Sequence, residues 1–112
     1  MIHATSKFSF ESSFSEAVDE GLLLLGESGK KAVFFYLEKN FHITKNEITI
    51  KLRAFSEAIE SLFGAGAVYI KATILKCFYK KIGIPPPEKP ESENFVESVT
   101  MFLVESRLTD GQ

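Results

Sequence analysis

Tryptophan is absent from this 112-residue chain, cysteine occurs once and histidine twice. The lone Cys77 excludes an intrachain disulfide and any zinc site built from cysteines of one chain, and it suits a reducing compartment. His3 and His42 have no second His, Asp or Glu at ligand spacing, so neither a metal nor a cofactor is expected. Apolar runs such as Leu22 to Leu25 fall far below the roughly 20 residues of a membrane span. The opening MIHATSKFSFESSF lacks the basic start and continuous apolar segment of a signal peptide. The expectation is a cytoplasmic protein without membrane contact.

Apolar residues make up 45 % and charged residues 25 %, which matches an ordinary globular domain and argues against disorder. One domain over 1–112 is expected, with its core at about 13–83, a proline-rich connector at 84–91 and a C-terminal helix at about 93–107. Eleven Phe and three Tyr offer more apolar surface than a small helical core usually hides, so a homodimer is expected. The net charge of −2 hides a segregation: residues 1–29 carry −4, residues 30–87 carry +6 and residues 88–112 carry −4. Either the acidic flanks fold onto the basic middle, or the middle presents a positive face to an acidic partner.

The pattern is all-α, a single compact bundle of about five helices. Ser13 followed by Glu16 predicts a capping box opening a first helix at about 14–25, with Phe14, Ala17, Val18, Leu22 and Leu25 on one stripe and Gly26 as its left-handed stop. Gly21 inside that helix either weakens it or marks a close helix contact. A second helix is expected at about 28–40, with Ala32, Val33, Tyr36 and Leu37 as its stripe and Phe34 and Phe35 partly off it. Thr44 and Glu47 predict another capping box on a short turn. A third helix at about 52–63 places Leu52, Phe55, Ile59 and Leu62 on one face. The fourth, at about 67–81, is apolar over more than half its girth, which predicts enclosure in the middle of a bundle or dimer. Lys71 points into its apolar arc and must snorkel or find an acidic partner. The last helix has Phe95, Val99, Phe102 and Leu103 as its stripe and Ser92 as its cap.

No catalytic set emerges. Gly64 and Gly66 fall short of a dinucleotide fingerprint, because Tyr69 stands at the third glycine position and a helix rather than a strand precedes them. They read instead as a structural hinge, Gly64 just beyond the third helix and Gly66 letting the fourth start at once. Cys77 on an apolar face reads as core filling, and Ser12, Ser13 and Ser28 as capping residues. The segment from Tyr36 to Leu62 has the helix, turn, short helix, helix rhythm of a winged-helix DNA reader, but in its candidate recognition helix, Lys51 to Leu62, Glu57 and Glu60 balance Lys51 and Arg53, which disfavours nucleic acid.

The segments LGES at Leu25 to Ser28, YLEKNFHITKNEI at Tyr36 to Ile48, and AFSEAIESLFGAGA at Ala54 to Ala67, with Ile74 and Leu75, resemble the small archaeal helical module called the nitrosopumilus output domain, fifth type. The likeness spans about residues 22–84, and its strongest element is the turn Phe63-Gly64-x-Gly66-Ala67. The resemblance implies an output or interaction role in archaeal signal transduction, with no catalytic residues to carry over. The expectation is a non-enzymatic module acting by protein contact, with Lys71, Lys76, Lys80 and Lys81 presenting charge to a protein partner bearing an acidic segment. The alternatives are a small DNA-binding regulator and a helical domain enclosing an apolar ligand.

Overall fold

A computed structural model describes residues 2–83, 85 and 95–101, with side chains from residue 11 onward. Most of the proline-rich connector, Ser92, Phe102 and Leu103 lie outside these residues, as do the side chains before Glu11. The described chain is all-helical, with no strand among its residues. It comprises α1 (Ile2–Leu22), α2 (Gly26–Phe41), α3 (Leu52–Phe63), α4 (Ala67–Ile82) and a helical segment at 95–101.

The expected count of about five separate helices needs correction. Apart from the isolated 3-10 turn Lys45–Glu47, helical residues among those described fall in three unbroken runs, because 3-10 turns at Leu23–Leu25 and Gly64–Gly66 join α1 to α2 and α3 to α4. Glycines at positive φ, Gly26 at +83° and Gly64 at +56°, turn the chain at these joints without an intervening loop. Taken as one run, Leu52–Ile82 is long enough to cross a membrane, and its most apolar 18 residues average a mean hydropathy of 1.4. Gly64 divides that run, and α3 and α4 pack on each other.

The first helix also departs from expectation. It starts at Ile2, so Ser13 lies inside it and caps nothing, and Ser28 lies inside α2, whose N-cap is Leu25. Once a helix is nucleated, each added serine costs only a few tenths of a kcal/mol, roughly, so a Ser-x-x-Glu pattern need not mark a start. The second box is real: Thr44 N–H donates to Glu47 Oε1 at 3.1 Å, heading the 3-10 turn Lys45–Glu47. The bond from the Thr44 amide, with Lys51 nearby, holds the Glu47 carboxyl below the usual glutamate range. A lowered folded-state pKa adds stability that is present above the unfolded value and lost as pH falls through the folded one. The side-chain carbon shift of Glu47 is therefore expected to titrate at a more acidic midpoint than a glutamate in a flexible peptide.

The core is one cluster drawn from every element. Phe14, Phe55, Phe78 and Phe95 are all fully buried, with Phe14 meeting Phe78 edge-on at 5.4 Å and Phe95 lying 6.1 Å from Phe14 and 6.2 Å from Phe55. Ile43 and Ile48, on the connection between α2 and α3, are buried too. Their burial holds that loop against the body although it has little regular structure. The tightest packing is α1 on α4, where a Cβ added to Gly21 would sit 2.6 Å from Ile74 Cγ1 and 3.1 Å from Ile74 Cα. Gly21 thus marks a close helix contact.

The two hinge glycines differ. Gly64 has φ +56° and ψ −127°, a region that only glycine enters freely, whereas Gly66 has φ −70° and ψ −13°, which any residue adopts. The hinge is Gly64 alone. Gly64→Ala is expected to destabilise by about 1–3 kcal/mol and Gly66→Ala to be neutral or slightly stabilising. A urea midpoint for each variant checks this, and equal losses would remove the distinction.

Candidate interaction surfaces

The four lysines expected to face a partner divide into two pairs. Lys71 is 3 % exposed and its ammonium bonds Glu60 on α3, so it finds the acidic partner its position requires and is withdrawn from the surface. Lys81 reaches across to α1, bonding Glu20 at 2.6 Å and Glu16 at 3.3 Å. These contacts, Glu20 foremost, raise its pKa, so the pairing holds at neutral pH and fades only as pH climbs through the lysine range. Only Lys76 and Lys80 stand exposed, and neither pairs with a carboxylate among the described residues. For Lys81 the physical reason is the acidic first helix, which folds onto the basic middle of the chain, and for Lys71 it is Glu60 on α3.

Asp19 on α1 is the clearest case of that neutralisation. Its Oδ2 accepts from Lys45 Nζ at 2.6 Å, while Lys30 Nζ on α2 lies 3.8 Å from the buried Oδ1. Three elements converge on one carboxylate, none of whose partners is adjacent in sequence. Asp19→Ala leaves two lysines facing each other and is expected to cost about 1 kcal/mol, discounted for partial exposure. The loss should shrink in 0.5 M NaCl, roughly four Å being the screening length at such salt; a salt-independent loss would contradict the electrostatic origin.

The fourth helix is enclosed on one face only. Ala67, Ile70, Ile74, Leu75, Phe78 and Tyr79 are buried, but Val68 is 49 % exposed and Tyr69 74 % exposed, so the enclosure expected over more than half the girth of α4 narrows to a stripe. Cys77 is half-buried, and burial, helped by Glu20, pushes its thiol pKa up, consistent with an inert packing residue. On α3, Lys51 donates to the His42 carbonyl at 3.0 Å and to Glu47 at 3.4 Å, leaving Arg53 as the exposed cation at the start of the helix.

The most apolar surface lies elsewhere. Leu25, Gly29, Ala32, Val33, Phe35 and Tyr36 from the start and body of α2, with Leu62 and Phe63 at the end of α3, line a trough of about 500 Å³. None of these residues carries a charge. Phe35 at its lip is 66 % exposed, with Lys39 Nζ 5.6 Å from its ring centroid. By sequence spacing Phe35 falls partly off the buried stripe of α2, and its ring accordingly stands at the surface. A polar cleft also lies between α3, α4 and 95–101, lined by Arg53, Ser56, Glu57, Glu60, Lys71 and Glu97. Its charges are mixed, and among the described residues no three His, Cys, Asp or Glu side chains group as a metal site.

Comparison with family models, curated proteins and solved structures returned no match.

Proposed function

We propose that the chain is a non-enzymatic helical module that works in the cytoplasm through protein contact at the α2–α3 trough. The observation that carries this reading is a wholly uncharged trough with the exposed Phe35 ring at its lip. Soluble domains rarely leave such surface uncovered unless a partner or ligand uses it. The resemblance of the segments around Phe63-Gly64 to an archaeal output module supports a role in signal transduction, and Leu25, Tyr36, Leu62 and Phe63 of the trough fall inside those segments. A photo-crosslinking residue at position 35, installed in the native cell, should give discrete protein adducts that Ala32→Trp removes and that a control at exposed Lys76 does not give. Adducts no different from the control would end this reading. A doubled mass by light scattering, lost with Phe35→Glu, would identify the partner as a second copy.

A second reading has its own observation. The trough volume falls within the roughly 300–1,000 Å³ of small-ligand sites, so an apolar small molecule is the alternative occupant. It predicts a co-purifying compound seen by native mass spectrometry of the wild type and absent from Ala32→Trp.

A further inference from the structure

We infer that the trough takes a single amphipathic helix whose apolar residues recur at i, i+3 or i+4, and i+7 and whose edge carries carboxylates. This rests on the reading of the trough as a contact surface and adds the partner's shape and charge.

Shape comes first. Gly29, Ala32 and Tyr36 fall on one line of α2 by helical spacing, a floor about 10 Å long at 1.5 Å per residue, with Leu25 of the preceding 3-10 turn closing one end. That is about two helical turns, the rise from i to i+7, enough for three successive anchors. Gly29 and Ala32 make its middle shallow between larger residues, and Leu62 and Phe63 form the opposite wall. The dip at Gly29 is kept by the 3-10 turn ahead of α2, since a Cβ there would sit 2.7 Å from Leu25 Cβ. A small molecule is normally enclosed over most of its surface, whereas Phe35 leaves this trough open along its lip.

Charge then selects among helices. Lys39, Phe35 and Lys31 lie one turn apart on a single exposed row that runs beside the floor at Lys39 and drifts away from it toward Lys31, and neither lysine pairs with a carboxylate among the described residues. By helical register Glu27 and Glu38 lie just beyond Lys31, farther from the floor than any residue of that row, with Glu27 set against Lys30 at 3.8 Å. The α3 wall contributes no charge. The lip is therefore positive against an uncharged floor, and a partner edge of Asp or Glu complements it.

Selection of 16-residue peptides displayed at random sequence against the full-length chain tests this. Enriched peptides should show helical apolar spacing with flanking acids, should lose binding to Ala32→Trp, and should weaken about tenfold against the Lys31→Glu, Lys39→Glu double variant, two pairs being lost and two repulsions added. That double variant should instead enrich peptides with basic flanks, which a merely structural effect would not produce. Circular dichroism confirms that each exposed-site variant stays folded. Enrichment without helical spacing, without acids, or undiminished on Ala32→Trp overturns the inference. Should that happen while position 35 still crosslinks to protein, the contact reading survives with a different partner; should the crosslinks fail too, both fall.

Discussion

Phe78→Ala is expected to lower the stability of this protein by about 3–5 kcal/mol, the largest loss from any single truncation here. The side chain is fully buried on α4, meets Phe14 of α1 edge-on at 5.4 Å, and lies 6.3 Å from the Tyr79 ring. Its removal forfeits the transfer free energy of a whole ring and leaves a cavity that a tightly packed α1–α4 pair cannot close. It also strips the edge-to-face contact, worth about 0.5–1.5 kcal/mol beyond burial. Against a total of about 5–15 kcal/mol for a small domain, the variant should be partly unfolded at room temperature or melt far below the parent. Phe78→Leu should lose much less. Urea denaturation followed by circular dichroism measures both, and a Phe78→Ala loss under about 1 kcal/mol would show that this ring is not a core residue.

Gly21→Ala sets two effects against each other. Replacing glycine within a helix gains about 1 kcal/mol in propensity, so at an exposed site the change stabilises. Here the new methyl would meet Ile74 Cγ1 at 2.6 Å and the Ile74 Cα and N at 3.1 and 3.2 Å. The Cγ1 atom can turn aside, but the backbone atoms move only if α1 and α4 separate. Overpacking of this kind costs about 1–3 kcal/mol, so the net result is destabilisation by up to about 2 kcal/mol despite the better helix former. Gly21→Val should be worse. A double-mutant cycle with Ile74→Ala should show coupling, because trimming Ile74 removes the nearest obstacle. A Gly21→Ala variant more stable than the parent would mean that the two helices are not in contact there.

Both variants probe the same interface, and that interface bears on function indirectly. Lys81 commits to Glu16 and Glu20 because α1 lies against α4, and Asp19 draws Lys30 and Lys45 to the same helix. The basic middle is thereby largely spoken for within the chain. What remains for a partner is apolar surface with Lys31 and Lys39 beside it, rather than the lysine face of α4.

Some of this was readable from residues alone. The bounds of α3 and the start of α4 follow from local causes: apolar side chains three and four residues apart, and a glycine that stops one helix before the next. The Thr44 and Glu47 box and the need of Lys71 for an acid are equally local, set by spacing along one helix or turn. Contacts between distant segments are not encoded that way. Neither the close pass that demands Gly21, nor the convergence of two lysines on Asp19, nor the exposure of Val68 and Tyr69 can be read from periodicity, because each depends on which helix lies opposite. The same holds for the trough: α2 and the end of α3 supply its walls separately, and only their packing makes them one surface.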